Sequence, residues 1–455
     1  MLIFVDVFTN FIPIMTKKFS LVAVAILTSL ASWAEGYQIN TLSAKQLGMG
    51  HTGTALKLGA ESMIFNPAGL GFSEKTLDIS ASVTAIKADA TCTIDGADYR
   101  TDNGVSTPLA VNASFRIIDN LQAGISFYTP YGSAINWTNN WPGSMLSQQV
   151  SLKVYTVQPT VSWRILPNLS VGAGLMIAWG GVNLDKALIS GQSFETATGV
   201  PLGHTAAASI NLQGDSKVAV GVNVGAMFDI NKKWTLGASF RSKMGMNVSA
   251  GTAALTFANE AIAAALENQL GVINQSQFAS EMPCPYVFNF GASFRPNSRW
   301  TIAADIQLTG WKTYKELNIE FPEPLQGFNQ NIPKDYRNAL CYHVGAQFAA
   351  TGRLDVRAGL MIDTTPVNSK HYNPETPGMT KVEPTIGLSF RPINNLSIDI
   401  AFMYVHGCGA KDASCSYDDL LLKSQGLPEA YYHKIFTADY TAHAFAPALG
   451  VSYSF

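Results

Sequence analysis

The feature that most constrains this chain is an alternation. Apolar residues trade places with polar or small ones at every second position, segment after segment. After residue 34 there is no run of 18 or more apolar residues. Over residues 218–228, Val218, Val220, Val222, Val224, Ala226 and Phe228 share one side, and Ala219, Gly221, Asn223, Gly225 and Met227 share the other. Trp300, Ile302, Ala304, Ile306 and Leu308 alternate in the same way with Thr301, Ala303, Asp305 and Gln307. Asp355 and Arg357 share the second face of their segment, as do Glu383 and Arg391. A period of two is the signature of a strand whose faces meet different surroundings. Here the apolar face is large and aromatic, and the other is small or charged. That suits lipid outside and a polar lumen inside better than a soluble sandwich packed inward. A chain that crosses a membrane without apolar helices must cross as a closed sheet.

Composition agrees. Charged residues make up 14% of the chain, against about 25% in ordinary soluble domains. The formal net charge of −2 argues against a nucleic-acid surface and against an acidic tail. No linker-like stretch divides the chain after residue 35. The alternation predicts an all-β fold, a transmembrane antiparallel β-barrel of fourteen strands. Their expected spans are 76–90, 106–117, 121–132, 151–165, 169–185, 214–230, 234–252, 285–296, 300–321, 336–350, 354–367, 380–392, 396–409 and 436–455. Short turns such as Ile118-Asp119-Asn120 and Leu166-Pro167-Asn168 join them in pairs. An even strand number puts both ends and the short turns on the periplasmic side. The segment from Ala258 has helical spacing and reads as a short amphipathic helix in a long loop. The chain closes on FAPALGVSYSF, and the ending Tyr453-Ser454-Phe455 is similar to the C-terminal assembly signal of bacterial outer-membrane barrels.

The N-terminus reads as a secretory leader. From Met15 it has two lysines, an apolar run, and Ser32 and Ala34 at the −3 and −1 positions of a small-residue cleavage site. Residues 1–34 are therefore assigned as signal peptide, with the true start at Met15. Residues 35–75 carry seven glycines and no strand pattern. A forty-residue piece without a core should not fold alone, so it is expected to sit inside the lumen as a small N-terminal hatch, or plug. Residues 76–455 form the barrel.

The stretch from Gly36 to Leu56, followed by MIFNPAGLGF, resembles the N-terminal hatch of the FadL family of outer-membrane transporters for long-chain fatty acids and other hydrophobic compounds. Asn66, Pro67 and Ala68 match that family's signature triplet. SFYTPYG, VGAMFDINKKWTLGASFRSK and the terminal Phe455 match its strand patterns. The resemblance spans residues 35–455. It implies passive uptake: capture among extracellular loops, a pocket in the upper lumen, release by movement of the hatch, and lateral exit where a kinked third strand opens near the Asn-Pro-Ala turn. Pro130, Tyr131 and Gly132 are the candidate kink, because proline removes a ladder donor and glycine permits a bulge. Tyr37 matches an aromatic near the family's ligand pocket.

For a carboxylate ligand, Arg241 and Lys243 fall on the expected lumen face of the seventh strand. The competing role is a lumenal salt bridge to Asp or Glu on neighbouring strands. The five cysteines are odd in number. Cys408 and Cys415 flank a short loop and are one candidate disulfide, and Cys92 with Cys284 is a second. The histidines do not cluster at metal spacing, and Gly48-x-Gly50-x-x-Gly53 follows no strand, so no metal, cofactor or catalytic set is assigned. The expected partners are a hydrophobic ligand such as a long-chain fatty acid, outer-membrane lipid and the barrel-assembly machinery. Competing readings are aromatic hydrocarbon or haem uptake on the same scaffold, an outer-membrane lipid hydrolase, a surface adhesin and a general porin.

Overall fold

The computed structural model describes residues 36–419, 422, 423, 426 and 428–455. The leader expected at 1–34 lies outside the described residues. Fourteen strands close one antiparallel ring. They are β1 (Leu77–Thr84), β2 (Leu109–Ile118), β3 (Leu121–Asn136), β4 (Gln149–Leu166), β5 (Leu169–Ile189), β6 (Ala219–Asp229), β7 (Trp234–Arg241), β8 (Val287–Phe294), β9 (Trp300–Thr309), β10 (Ala339–Ala349), β11 (Leu354–Asp363), β12 (Lys381–Ile393), β13 (Leu396–Gly407) and β14 (His433–Ser454). Each pairs with the next. The seam closes where β14 meets β1, from Asp78 opposite Ser454 to Thr84 opposite Ala448. Phe455 finishes it: its N–H donates to Leu77 O at 2.8 Å and its carbonyl accepts from Thr76 N at 2.9 Å.

Every ring strand coincides with one expected from alternation, but three expected strands are each two. Thr84 and Lys87 are separated by a break, as are Arg241 and Met244, and Thr309 and Glu316. Beyond the last two breaks the chain changes neighbours on both sides, whereas Lys87–Ile94 stays on β14 in the register of β1 and changes only its other neighbour. Shorter strands thus rise above the ring. The largest of these are Lys87–Ile94, Ala208–Asp215, Met244–Phe257, Gln277–Cys284 and Ala410–Asp418. The helix expected from Ala258 spans Glu260–Leu270.

The polarity of the strands inverts along their length. On β4, Thr156, Gln158, Thr160 and Ser162 are buried towards the lumen, while Val161 and Trp163 are exposed outside. Further up the same strand the inward residues become Val150, Leu152 and Val154, and Lys153 faces out. On β5 the exposed apolar residues end at Trp179 and give way to Asn183 and Asp185, while the inward face, polar at Ser170, becomes apolar at Leu184. A strand needs only about 9–11 residues to cross an outer membrane, so the inversion marks where lipid ends and water begins outside the wall. The polar lumen expected throughout is therefore polar only in the turn-side half.

Residues 36–72 explain that half. They are buried or half-buried throughout and have too little apolar mass for a core of their own. Inward side chains of the ring satisfy their backbone instead. Asp305 Oδ2 accepts from Gly53 N at 2.7 Å and Thr54 N at 2.9 Å. Gln158 donates to Met63 O, Ser239 to Phe65 O and Ser293 to Ala55 O. Thr385 accepts from Gly50 N, and Ser82 from Ala44 N. A buried backbone group left unpaired is costly, so a coil inside a barrel demands polar walls. It also demands space: a Cβ on Gly345 or Gly359 would strike the Met49–Gly50 backbone.

Candidate ligand passage

Above the inner segment lies a narrow apolar cavity with about 40 Å³ of accessible space, well under the roughly 300–1,000 Å³ usual for small-molecule sites. Leu152, Val154, Leu184, Met246, Phe278 and Ile319 line it. It exists because the inward face turns apolar where the outward face turns polar.

Lys186 stands two residues beyond Leu184 on the same face of β5, about 7 Å along the strand. It is buried, and its Nζ donates to Gln330 Oε1 at 2.7 Å. Beside it Lys334 and Glu375 form a buried ion pair. Two lysines thus share one carboxylate. Lys186 lies past Trp179, outside the spanning part of β5. Burial lowers its pKa to about 8, with Glu375 opposing the shift and Lys334 adding to it. A carboxylate at the end of the apolar cavity would supply the missing charge.

Tyr37 lies beside the strand that carries part of the cavity wall. Its hydroxyl donates to Pro283 O at 2.5 Å, one residue from Met282 in the cavity wall. Its ring packs edge-on against Trp311 at 4.7 Å, with Tyr131 and Tyr314 each at 6.2 Å.

The next two residues reach a bulge in the wall. β3 pairs with β2 as far as Tyr128 opposite Ala110. Against β4 its register jumps from Tyr128–Thr156 to Tyr131–Val154, so Thr129 and Pro130 together oppose Tyr155. Beyond the jump β3 bonds the inner segment instead of β2. Ile39 N donates to Pro130 O, and Gly132 N to Tyr37 O, each at 2.9 Å. Gln38 lies opposite Tyr131 between those two bonds. Proline has no N–H for a ladder, and an extra residue bends a strand. Pro130, Tyr131 and Gly132 thus form a bulge at which the β2–β3 ladder ends.

Asn66 anchors the inner segment elsewhere. Its Oδ1 accepts from Ala68 N at 3.1 Å, an N-cap for the short turn Pro67–Phe72. Its Nδ2 donates to Thr54 O at 2.8 Å and to Ala226 O of β6 at 3.0 Å. Pro67 sits at the first helical position, where its missing N–H costs nothing. A Cβ on Gly172 of β5 would meet Pro67. The triplet therefore rests on β5 and β6, and Tyr37–Ile39 meets the bulge in its place.

Other expected residues are redistributed. Arg241 faces inward and donates to Ile64 O. Lys243 does not line the lumen: the strand breaks at Ser242–Lys243, and Lys243 is exposed. No disulfide joins any of the five cysteines. Cys408 is exposed while Cys415 is buried. Cys92 lies opposite Tyr440 of β14, whereas Cys284 lies opposite Met244 and beside Tyr37, so neither expected pair meets. The rings of Tyr453 and Phe455 pack edge-on at 4.6 Å at the seam. Lys186, Lys334, Glu375 and Trp311 were not singled out from sequence. The signal that finds Lys186 is the unbroken parity of β5, whose even-numbered residues Ser170, Met176 and Leu184 all face inward.

Three kinds of comparison place this geometry. The family model described as outer membrane protein transport protein (OMPP1/FadL/TodX) matches residues 24–455. A long-chain fatty acid transport protein of Escherichia coli (strain K12) is 21% identical over 419 residues, covering 87% of this chain and 93% of that protein. Outer membrane protein P1 of Haemophilus influenzae (strain Rd) is 20% identical, covering 96% and 100%. Among solved structures, a Pseudomonas aeruginosa FadL homologue superposes with a TM-score of 0.77 at 18% identity, covering 92% of this chain and all of that one. The Pseudomonas putida toluene transporter TodX gives 0.68 at 16% identity, covering 91% and 99%. At these identities the structures speak for the fold.

Proposed function

The chain belongs to the OMPP1/FadL/TodX family of bacterial outer-membrane transport proteins, and from that premise we propose that it takes up long-chain fatty acids by passive diffusion with lateral exit. The observation that carries this reading is the apolar cavity with a buried, under-neutralised lysine two residues beyond its wall residue Leu184 and Tyr37 bonded beside its wall residue Met282. The chain enters the cavity and the carboxylate meets Lys186. Each buried methylene contributes about 0.8 kcal/mol, so an apolar route serves where a watery pore would not. Release of Tyr37–Ile39 from the bulge then opens the wall between β2 and β3 to lipid. Asn66, Pro67 and Ala68 hold the rest of the inner segment as a hatch. Tyr453 and Phe455 present the assembly signal to the barrel-assembly machinery.

The test is uptake of a labelled long-chain fatty acid by cells lacking their own transporter. Gln38 and Tyr131 form a non-hydrogen-bonded antiparallel pair, whose close Cα atoms, about 4.5 Å apart, suit a disulfide. The Gln38→Cys, Tyr131→Cys variant should transport only when reduced, while wild type transports under both conditions. Equal uptake by the oxidised and reduced variant would exclude exit past Tyr37–Ile39. A folded wild type without uptake would exclude fatty acid as cargo. Aromatic hydrocarbon uptake is the second reading, favoured by the box of Tyr37, Trp311, Tyr314 and Tyr336 rings. Labelled toluene in the same cells separates the two.

A further inference from the structure

We infer that the outer wall of the barrel holds one phosphate-bearing lipid of the outer leaflet, with its head group on Lys153 and Lys217 and an acyl chain in a groove across β2–β6. Such a site needs only that the chain is an outer-membrane barrel, whatever its cargo.

The groove lies on the lipid-facing side. It offers about 660 Å³ of accessible space, within the roughly 300–1,000 Å³ usual for small-molecule sites. Phe115, Ile125, Val161, Leu175 and Val222 stand around it, all exposed, and Pro159 of β4 lies among them. Proline cannot donate to a ladder, and the pairing of β4 with β5 skips from Val157–Ile177 to Thr160–Gly174. Above the groove three outward rings meet. Phe127 stacks on Tyr155 at 6.1 Å, and Trp179 lies 6.3 Å from each. Aromatic side chains gather where hydrocarbon meets head groups, so these rings mark the upper edge of the lipid belt.

At that edge the face turns basic. Lys153 is exposed one outward position above Tyr155, opposite Gly181 of β5. On the other side of β5, Ser216 N donates to Gly180 O at 2.8 Å, which sets the exposed Lys217 at the level of Trp179. The two lysines flank β5 from strands about 10 Å apart, and neither side chain has an ion pair or hydrogen bond among the described residues. Asp215 leans over Gly181 between them, and its carboxylate opposes an anion without cancelling both charges. Asn183 and Gln213, paired one outward step higher, add amides for the rest of a polar head. Six residues part Lys153 from Pro159, about 20 Å along a tilted strand. A chain hanging from the lysines therefore reaches the groove near the middle of a belt about 25 Å tall. Phosphate on an acyl tail meets every one of these features. Free phosphate would leave the groove and rings bare, and a neutral lipid would leave the lysines without a counter-charge.

The test titrates lipid A, which carries two phosphates, and its dephosphorylated form onto the purified protein in detergent, with occupancy read by native mass spectrometry. Folded protein is recognised by its resistance to unfolding in detergent. The phosphorylated form should bind about ten- to thirtyfold more tightly, the factor two lysines supply at an anionic lipid surface. Lys153→Gln combined with Lys217→Gln should cut that preference to below about twofold, and Asp215→Asn should widen it by about three- to fivefold. Ala173→Trp, which fills the groove, should weaken both forms alike. Lys232→Gln, on the turn between β6 and β7, should leave the preference unchanged. Equal affinity of the wild type for both forms would overturn the site, as would an undiminished preference in the double lysine variant. An equal loss in Lys232→Gln would reduce the effect to overall charge and overturn it too. If the double lysine variant does not fold, Asp215→Asn decides alone, because a phosphate site gains from losing that carboxylate and an unchanged preference there rejects it. Fatty-acid uptake does not enter the readout, so the transport reading stands or falls separately.

Discussion

At the scale of single residues, the passage depends on polar groups kept where apolar ones would be cheaper. Lys186 is the sharpest case. Its pKa is lowered to about 8 because burial disfavours the ammonium. A lowered lysine pKa means the unfolded chain binds more protons between about pH 8 and its ordinary value of 10.5. Without ligand, stability should therefore rise as pH climbs through that window. Carboxylate binding should do the opposite, weakening above about pH 8 as Lys186 loses its charge. Lys186→Met should weaken fatty-acid binding by about 1.5–3 kcal/mol and remove that pH dependence; titration of purified protein with ligand across pH 6–10 (roughly the span that brackets the shift) checks both. Asn66 makes a different demand. Asn66→Ala loses a cap and two buried hydrogen bonds and should cost about 1–3 kcal/mol. Asn66→Asp should cost more although it keeps the cap, because a carboxylate would face the carbonyls of Thr54 and Ala226 at hydrogen-bonding distance. Thermal unfolding of the two variants ranks them.

At the scale of the element, β3 decides where the wall is weak. Its bulge exchanges one neighbour for another, from β2 below to the inner segment above. Gly132→Val should push its side chain towards Ile39, whose Cδ1 already lies 3.1 Å from an ideal Cβ. Protease sensitivity of the inner segment should rise in that variant while the ring remains resistant. The bulge was legible from Pro130 and Gly132, because proline and glycine inside a strand have few other uses. The ring strands were legible because lipid imposes period two on everything it touches. What was not legible has a physical reason. Alternation continues past the membrane with its faces exchanged, so residues 76–90, 234–252 and 300–321 read as single strands although the chain changes one partner within the first, which keeps β14, and both within the other two. Lys243 was placed on the lumen by counting through such a break, and Lys186 lies one residue past the expected end of its strand, on the inward parity that runs unbroken from Ser170. The cysteines carry no periodicity, so their spacing could not say that Cys92 and Cys284 lie apart.

At the scale of the whole molecule, the ring and the inner segment divide the work of satisfying backbone. Deleting residues 36–72 should leave polar walls that water can wet in the turn-side half, and planar-bilayer recordings should show steady conductance where the intact protein shows little. The deletion should not disturb the lipid-facing belt of Val220, Ile306, Leu388 and Leu449, so the variant should still insert. The close fit between the inner segment and the ring also bears on the order of manufacture. Gly345, Gly359 and Gly387 leave no clearance around Met49, Gly50 and Gly48, and a finished ring offers no way to thread that coil into place. The segment precedes every strand in the chain and touches strands from β1 to β14, so in the intact protein it has to lie within the curling sheet before the junction of Leu77 with Phe455 closes it.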